Sequence, residues 1–189
     1  MTPSEPSRIA PSLRCTCAAD GFGLIDLVFV IGIIAILAMI AFPRLLLARQ
    51  SAGAASAIGS LRAINSGQLT FALTCGGGFY APTLTVLGTA PAGSPSAFVG
   101  PNLGGANSVT RAGYLIQLSA TPAGTSPATC NGLGAGQTGQ AFKVAADALE
   151  ASNARFFASN ATGQIYEHTS SLFAVMPEEG PSPQGALLK

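Results

Sequence analysis

The chain has 189 residues, a formal net charge of +1 and 9% charged residues, whereas an average soluble domain has about 25%. Its polarity comes mainly from Ser, Thr, Asn, Gln and 23 Gly, which suits an extracytoplasmic or closely packed protein better than a cytosolic enzyme. No block of Lys or Arg exists that follows a phosphate backbone, so bulk electrostatics does not support nucleic-acid binding.

The N-terminal region divides into a polar leader, residues 1–21, and an apolar stretch, residues 22–42, in which Asp26 is the one charged residue. As a helix this stretch is about 31 Å long, which matches the hydrocarbon core of a bilayer. It is longer than the apolar part of a secretory signal, about 7 to 15 residues, and has no Ala-x-Ala cleavage pattern. We therefore expect a disordered leader and a membrane span, whose orientation the flanking charges do not fix.

Asp26 stands out because an ionisable residue inside a membrane helix is functional by default. It lies only four residues, about 6 Å along a helix, from Phe22, where it also fits a tolerated acid near the lipid headgroups. Its position alone does not decide between these two interpretations.

Residues 43–74 are predicted to continue the same helix as an amphipathic segment. Pro43 is expected to kink or interrupt the helix, because it lacks an amide N–H and clashes with the preceding turn. Helical spacing nevertheless resumes at once, with apolar or small residues recurring every three or four positions on one face. That face contains Ala54, Ala57, Leu61, Ile64, Gln68 and Phe71. Cys75 and the three Gly that follow it should end the helix near residue 74.

The rest of the chain, residues 75–189, is predicted to form a globular β domain on which the long helix packs, giving an α+β fold with a small antiparallel sheet. Runs rich in β-branched, aromatic and alternating apolar residues predict four strands. These strands cover residues 114–119, 141–146, 155–159 and 164–168. The last two flank turn residues 160–163 and should form a hairpin.

Loops rich in Gly, Ser, Thr and Pro are expected over residues 81–107 and 121–139, the first with at most a short strand or turn. Residues 177–189 are expected to form a disordered, flexible tail.

The four Cys form two pairs. Cys15 and Cys17 precede the apolar stretch, and Cys75 and Cys130 follow it. If the stretch crosses a membrane once, the second pair is a disulfide candidate in an oxidising compartment. Closing this loop would stabilise the fold by roughly 4 kcal/mol in the chain-entropy model. Two independent buried thiols are the alternative.

Catalytic and metal sites are not indicated. The single His, His168, ends a predicted strand, and its neighbour Glu167 should point to the opposite face. A surface His is the simpler interpretation, although a triad with Asp147 stays open. No cluster of His, Cys, Asp and Glu has metal-ligand spacing, so we expect no metal and no cofactor.

Two short motifs have simpler explanations. Residues 134–139, GAGQTG, match the dinucleotide pattern G-x-G-x-x-G, but they lie in a Gly-rich loop that leads into a predicted strand, so a flexible loop is preferred. Asn160 and Thr162 form a glycosylation sequon, which the turn of the predicted hairpin explains without a sugar.

The stretch GFGLIDLVFVIGIIAILAMIAFP, residues 21–43, resembles the N-terminal segment of class III signal peptides, found in type IV pilins and in the pseudopilins of type II secretion. In that family a polar leader ends in Gly, followed by Phe, a Thr-Leu-Ile-Glu-type stretch, an apolar run and a Pro. Gly21 and Phe22 match the two sides of the cleavage site, and Pro43 matches the helix-kinking Pro. The resemblance covers about residues 15–72.

Leu24 and Ile25 match the same motif, whereas Gly23 replaces the common Thr or Ser and Asp26 replaces the usual Glu. Asp is one methylene shorter than Glu, so its reach falls by about 1.5 Å. Either the helices pack more closely or the pairing of the acid is weaker.

The resemblance implies that a prepilin peptidase cuts after Gly21 and methylates the amine of Phe22. The subunit would remain in the inner membrane as a single-pass protein, surrounded by lipid, until inner-membrane assembly machinery adds it to a helical homo-oligomeric filament. The family's acid at the Asp26 position pairs with the N-terminal amine of a neighbouring subunit, which would relieve the cost of an acid in lipid. Pairing with the chain's own Phe22 amine, one helical turn away, is a competing arrangement.

We therefore expect a structural subunit of a type IV pilus-like filament, not an enzyme, located first in the inner membrane and then in a periplasmic or extracellular pilus. A pseudopilin of a type II secretion system is the alternative within the family. A single-span, membrane-anchored periplasmic binding protein or enzyme is the alternative from a different class.

Overall fold

A computed structural model describes residues 23–150 and 155–188 of the chain. One long helix is followed by two short helices and six strands. The elements are α1 Leu24–Thr74, α2 Leu84–Leu87, α3 Pro101–Gly104, β1 Ser108–Arg111, β2 Tyr114–Ser119, β3 Lys143–Ala148, β4 Phe156–Asn160, β5 Ile165–His168 and β6 Ala186–Leu187. The chain divides into two compact units, one ending at Arg44 and the other beginning at Leu45.

The prediction of one long helix ending near residue 74 is confirmed by α1. The helix is assigned without a break through Pro43, so the possible interruption there does not occur. A kink at Pro43 stays a prediction. Leu, Ile and Ala fill most of α1, and the hydrogen-bonding pattern tolerates one missing N–H in so long a run.

The Gly-rich sequence after α1 ends the helix as expected. The Phe71 carbonyl accepts hydrogen bonds from the N–H groups of Cys75 at 2.9 Å and Gly76 at 2.7 Å. Gly77 and Gly78 then have φ angles of 59° and 93°, in the left-handed region that Gly enters at little cost. The chain can therefore turn sharply and leave the helix.

The six strands form one antiparallel sheet in the order β1-β2-β3-β4-β5-β6, so each strand pairs with the next along the chain. Together with α1 this confirms the α+β fold with a small antiparallel sheet. The two-residue turn between β1 and β2 consists of Ala112 and Gly113, both with positive φ, at 50° and 83°. Such values match the right-handed twist of the strands that a tight hairpin joins.

The main core lies between α1 and one face of the sheet. All six residues of the predicted helical stripe are at most 1% exposed, which confirms the stripe. The five apolar ones belong to one apolar cluster with inward-facing sheet residues such as Tyr114, Ile116, Val144 and Phe157. Each fully buried Leu, Ile or Phe contributes about 1.5 to 3 kcal/mol, so this contact accounts for much of the fold's stability.

The opposite face of the sheet has a second, smaller core. Ala145, Ala158 and Tyr166 lie on that face and are covered by Leu172 and Met176 from the segment after β5. The sequence predicted the packing of α1 on the sheet but not this cover of the other face.

The predicted strand over residues 114–119 coincides with β2, and the predicted hairpin is formed by β4 and β5. The strand predicted over residues 141–146 is displaced by two residues, to β3.

Residues 81–107 are not a plain loop, because they contain α2 and α3. The side chain of Thr83 caps α2 by accepting a hydrogen bond from the Val86 N–H. Gly88 and Gly104 lie so close together that a Cβ on Gly104 would be 2.9 Å from the Gly88 nitrogen. The absence of side chains lets these two short helices touch.

The disorder predicted for residues 177–189 is wrong where the structure pairs β6 with β5. The segment before β6 is also held, because the Glu178 carboxylate accepts hydrogen bonds from the N–H and hydroxyl of Thr121, both at 2.9 Å. A polar, Pro-rich composition concealed these long-range bonds, which no local pattern predicts.

Candidate functional site

The most unusual surface is the first part of α1, residues 24–47, which we name the apolar segment. Every Leu, Ile, Val, Phe and Met in it is exposed, with exposed fractions between 44% and 81%. These side chains lie on all sides of the helix, unlike the single stripe that packs on the sheet. Within the described residues, α1 is the one helix long and apolar enough to cross a membrane. Such a surface requires an apolar environment.

Asp26 lies in the first turn of α1, where its N–H donates a 3.0 Å hydrogen bond to the Gly23 carbonyl. A Cβ on residue 23 would be only 3.1 Å from Asp26 Oδ2, so the carboxylate bends back over Gly23. A negative charge in this position favours the positive end of the helix dipole by about 0.3 to 1 kcal/mol. Gly23 thus provides room for the acid, a role that the sequence did not reveal.

The predicted cleavage site at Gly21 and Phe22 lies outside the described residues, as do the leader and the pair Cys15 and Cys17. Cleavage, methylation of Phe22 and its pairing with Asp26 therefore stay predictions. The Asp26 carboxylate nevertheless points towards the N-terminal end of α1, which begins two residues after Phe22 in the sequence.

The predicted disulfide between Cys75 and Cys130 is present, with the two Cα atoms 5.0 Å apart and a sequence separation of 55. It joins the residue after α1 to the long loop between β2 and β3. The Cys130 N–H also donates to the Cys75 carbonyl at 3.4 Å. The alternative of two independent thiols is excluded for this structure.

The three residues considered for catalysis are not brought together. His168 is half-buried, and its Nδ1 accepts a hydrogen bond from the Ser170 N–H at 3.2 Å. Glu167 instead forms an ion pair with Arg155, with 2.6 Å between Oε1 and Nε. Asp147 lies on β3, two strands and therefore about 10 Å from His168 on β5. These positions do not assemble an acid–histidine–nucleophile triad.

Asp147 lies in surroundings that perturb its carboxyl. Burial raises the pKa of its carboxyl above the ordinary value, and a hydrogen bond from Ser171 opposes this in part. Its Oδ1 is buried and has no hydrogen-bond partner. Ser171 therefore links the segment that follows β5 to Asp147 on β3.

The two weak motifs take structural roles. Residues 134–139 lie in the loop between β2 and β3, and Gly139 forms isolated bridges with Tyr80 and Pro122 instead of opening a helix. The side chain of Asn160 is fully buried and donates to the carbonyls of Pro177 at 3.0 Å and Gly180 at 2.7 Å. The sequon is therefore closed to modification in the folded chain.

In the part of the chain that the structure describes, no group of three or more His, Cys, Asp and Glu side chains could hold a metal ion.

No family model, curated protein or solved structure matches the chain. Its function is therefore inferred from its own residues and geometry, above all from the apolar segment and the acid at its start.

Proposed function

We propose that the chain is a structural subunit of a type IV pilus-like filament, anchored in the inner membrane by α1 before assembly. A prepilin peptidase removes residues 1–21 and methylates Phe22, and the assembly machinery then adds the subunit to a homo-oligomeric filament. The apolar segments bundle at the filament centre, and the β domains face outward.

The observation that carries this proposal is the apolar segment with its motif. Its side chains are exposed on all sides, so they suit lipid before assembly and other helices afterwards. The residues at its start, including Gly21, Phe22 and Asp26, resemble the processing and assembly motif of the pilin family.

The packing of the C-terminal part of α1 supports the same proposal. From Gly53 onwards the helix buries one stripe against the sheet, which fixes the domain to the helix. A single helix therefore serves both as a membrane anchor and as the backbone of the domain.

Mass spectrometry of the mature N-terminus tests the proposed processing. We expect a chain that begins at Phe22 and carries one additional methyl group on its amine. A Gly21→Ile variant should retain the leader, because the residue before the cut is altered. An intact Met1 in the membrane-inserted wild-type chain, or cleavage elsewhere, would rule the proposal out.

Filament yield tests the role of Asp26. Asp26→Ala should be processed normally but lose at least about tenfold in filament yield, since an unpaired buried amine costs several kcal/mol. Asp26→Glu, which keeps the charge, should retain most of the yield. Normal assembly of the Asp26→Ala subunit would contradict the pairing.

Electron microscopy of sheared surface material separates two kinds of filament. Long surface fibres containing the chain are expected for a pilus, whereas a type II secretion pseudopilin would leave the surface bare and form a short periplasmic filament.

A further inference from the structure

A cleft opens beside α1 at the start of the second compact unit. It has a volume of about 230 Å³ and lies between α1, the turn joining β1 to β2, and the residues that follow β3. Its lining consists of Leu46, Arg49, Gln50, Gly53, Ala112, Gly113 and Glu150. We name it the α1 cleft.

The backbone keeps the cleft open. Gly53 has no side chain, and a Cβ at this position would be 2.8 Å from the Ala112 carbonyl oxygen. On the other wall, the Leu149 N–H donates a 3.0 Å hydrogen bond to the Gly113 carbonyl, which holds the chain next to Glu150. Backbone contacts therefore position both walls of the cleft.

Two opposite charges line the α1 cleft and do not form an ion pair within 4.0 Å. Arg49 comes from α1 and Glu150 from the segment after β3, and both are exposed. Among the described residues the one ion pair within 4.0 Å joins Arg155 and Glu167, so Arg49 and Glu150 are not paired. The cleft therefore presents a cation and an anion to a ligand at the same time.

The chain also fixes how far the cleft lies from the apolar stretch. Leu46, at the near end of the cleft, is four residues after Phe42, about 6 Å along a helix, and Arg49 is seven residues after it, about 10 Å. The headgroup layer on each side of a bilayer is about 5 to 8 Å thick. If residues 22–42 span a membrane, the near end of the cleft lies at the depth of the headgroups, and the long side chain of Arg49 reaches that layer.

We propose that the α1 cleft binds the headgroup of a phospholipid that carries a phosphate and a primary ammonium group, as in phosphatidylethanolamine. Arg49 donates hydrogen bonds to the phosphate, and Glu150 accepts them from the ammonium. This inference depends on the proposed membrane span and does not depend on processing or filament assembly.

The chemistry of the lining distinguishes this headgroup from the other common ones. Arg binds phosphate through two parallel N–H donors, and a carboxylate matches an ammonium that has three N–H donors. A choline headgroup has no N–H, and its quaternary ammonium prefers aromatic faces, which the lining does not contain. An anionic glycerol headgroup leaves Glu150 unpaired and is repelled by it.

Native mass spectrometry of the full chain tests this proposal. The chain is released from nanodiscs holding equal amounts of phosphatidylethanolamine, phosphatidylcholine and phosphatidylglycerol, and the retained lipids are counted. We expect phosphatidylethanolamine to be retained about tenfold over phosphatidylcholine, the scale of one charge-assisted hydrogen bond. Flotation of the same preparations shows independently that the chain is inserted.

Three variants assign the effect to the two charges. Arg49→Gln should lose retention of both phosphatidylethanolamine and phosphatidylglycerol. Glu150→Gln should lose the preference for phosphatidylethanolamine and retain more phosphatidylglycerol. Arg62→Gln removes an exposed Arg from the same helix outside the cleft and should behave like the wild type.

Each other outcome overturns the proposal. Equal retention of phosphatidylethanolamine and phosphatidylcholine by the inserted wild type would do so, as would enrichment that survives both Arg49→Gln and Glu150→Gln. Equally tight binding of soluble glycerophosphoethanolamine would show a small-molecule site instead of a lipid site. A wild-type chain that does not float with the nanodisc lipids would overturn the membrane span as well, whereas an inserted chain without preference overturns this inference alone.

Discussion

The two parts of α1 have similar helical sequences but opposite surroundings. In the apolar segment, large Leu, Ile, Val and Phe side chains are exposed on every side. From Gly53 to Ala72 the buried residues form one stripe, and small residues are frequent around it. Helix propensity does not distinguish these parts, because both are rich in good helix formers. What differs is the partner, which is the sheet for one part and, in the proposed function, lipid or other helices for the other.

Small side chains decide how closely the sheet-bound part approaches the domain. A Cβ on Gly67 would be 2.7 Å from Val99 Cγ1 and 2.9 Å from the Phe98 carbonyl oxygen. A Cβ on Gly32, in the apolar segment, would meet nothing within 4 Å. Packing on the domain therefore requires Gly at position 67, whereas packing within the chain places no such requirement on Gly32.

The two parts of α1 should differ most in how much the free energy of unfolding changes when a Phe in each is replaced by Ala. Phe71→Ala should lower the free energy of unfolding by about 3 to 5 kcal/mol, since Phe71 is fully buried against the domain. Phe29→Ala, at a position 69% exposed, should change it by less than about 0.5 kcal/mol. Urea unfolding of the full chain in micelles measures both. Similar losses at the two positions would show that the apolar segment is also packed on the domain.

A smaller effect is expected from filling Gly positions within the sheet-bound part. Gly67→Ala should destabilise the domain by about 1 to 3 kcal/mol, because the new methyl group meets backbone as well as side chain. Gly59→Ala, where nothing lies within 4 Å, should stabilise it by about 0.5 to 1 kcal/mol through helix propensity. The same unfolding experiment gives both values. An increase in stability at both positions would contradict the close packing of Gly67 against Val99 and Phe98.

The turn beside the start of the buried stripe should respond more weakly. Ala112 has a φ of 50°, which a residue with a Cβ adopts at a cost. Ala112→Asn should stabilise the domain by about 0.5 to 1 kcal/mol, because Asn tolerates this conformation and Asn-Gly is preferred in such turns. Thermal unfolding measures the gain, and Ala112→Val should shift the midpoint in the opposite direction. A loss with Asn would indicate a different turn.

The smallest expected effect on stability comes from the ionisation of Asp147, on the sheet face away from α1. Burial raises the pKa of the Asp147 carboxyl in the folded chain above its ordinary value of 3.8, so the folded chain holds the proton more tightly than the unfolded chain. This contribution to stability is complete below pH 3.8 and is lost as the pH rises through the folded-state pKa. Stability relative to Asp147→Asn should therefore fall with rising pH in urea unfolding. A difference that is constant with pH would refute this effect.

Local patterns predicted the elements that are long or regular. The stripe from Ala54 to Phe71 repeats every three or four residues, and β2 alternates strictly between buried and half-buried positions. The hairpin of β4 and β5 has turn residues at its centre. In each case the signal lies in consecutive residues, so no distant contact was needed to find it.

Short elements that are stabilised by residues distant in the sequence were not predicted. α2 and α3 are four residues each, and the signals that mark them are a Thr N-cap at residue 83 and Pro101 at the first turn. Those signals are present in the sequence but are common in loops. β1 and β6 exist because a neighbouring strand is available to pair with them, and composition does not reveal that partner.

The candidate site shows the same limit. The acid, the apolar segment and the disulfide pair were all identified from the sequence, because residue type and spacing carry those signals. The α1 cleft was not, since Arg49 and Glu150 are about a hundred residues apart and only the fold brings them together.

Asn160 has one further consequence for how this chain is handled in a cell. Its amide is fully used in holding the segment near Pro177 and Gly180, and none of its side chain reaches solvent. An enzyme that attaches sugars to sequons can act on it only before the hairpin has closed. A glycan found on Asn160 in a glycosylating host would therefore show that this molecule had folded slowly or had failed to fold.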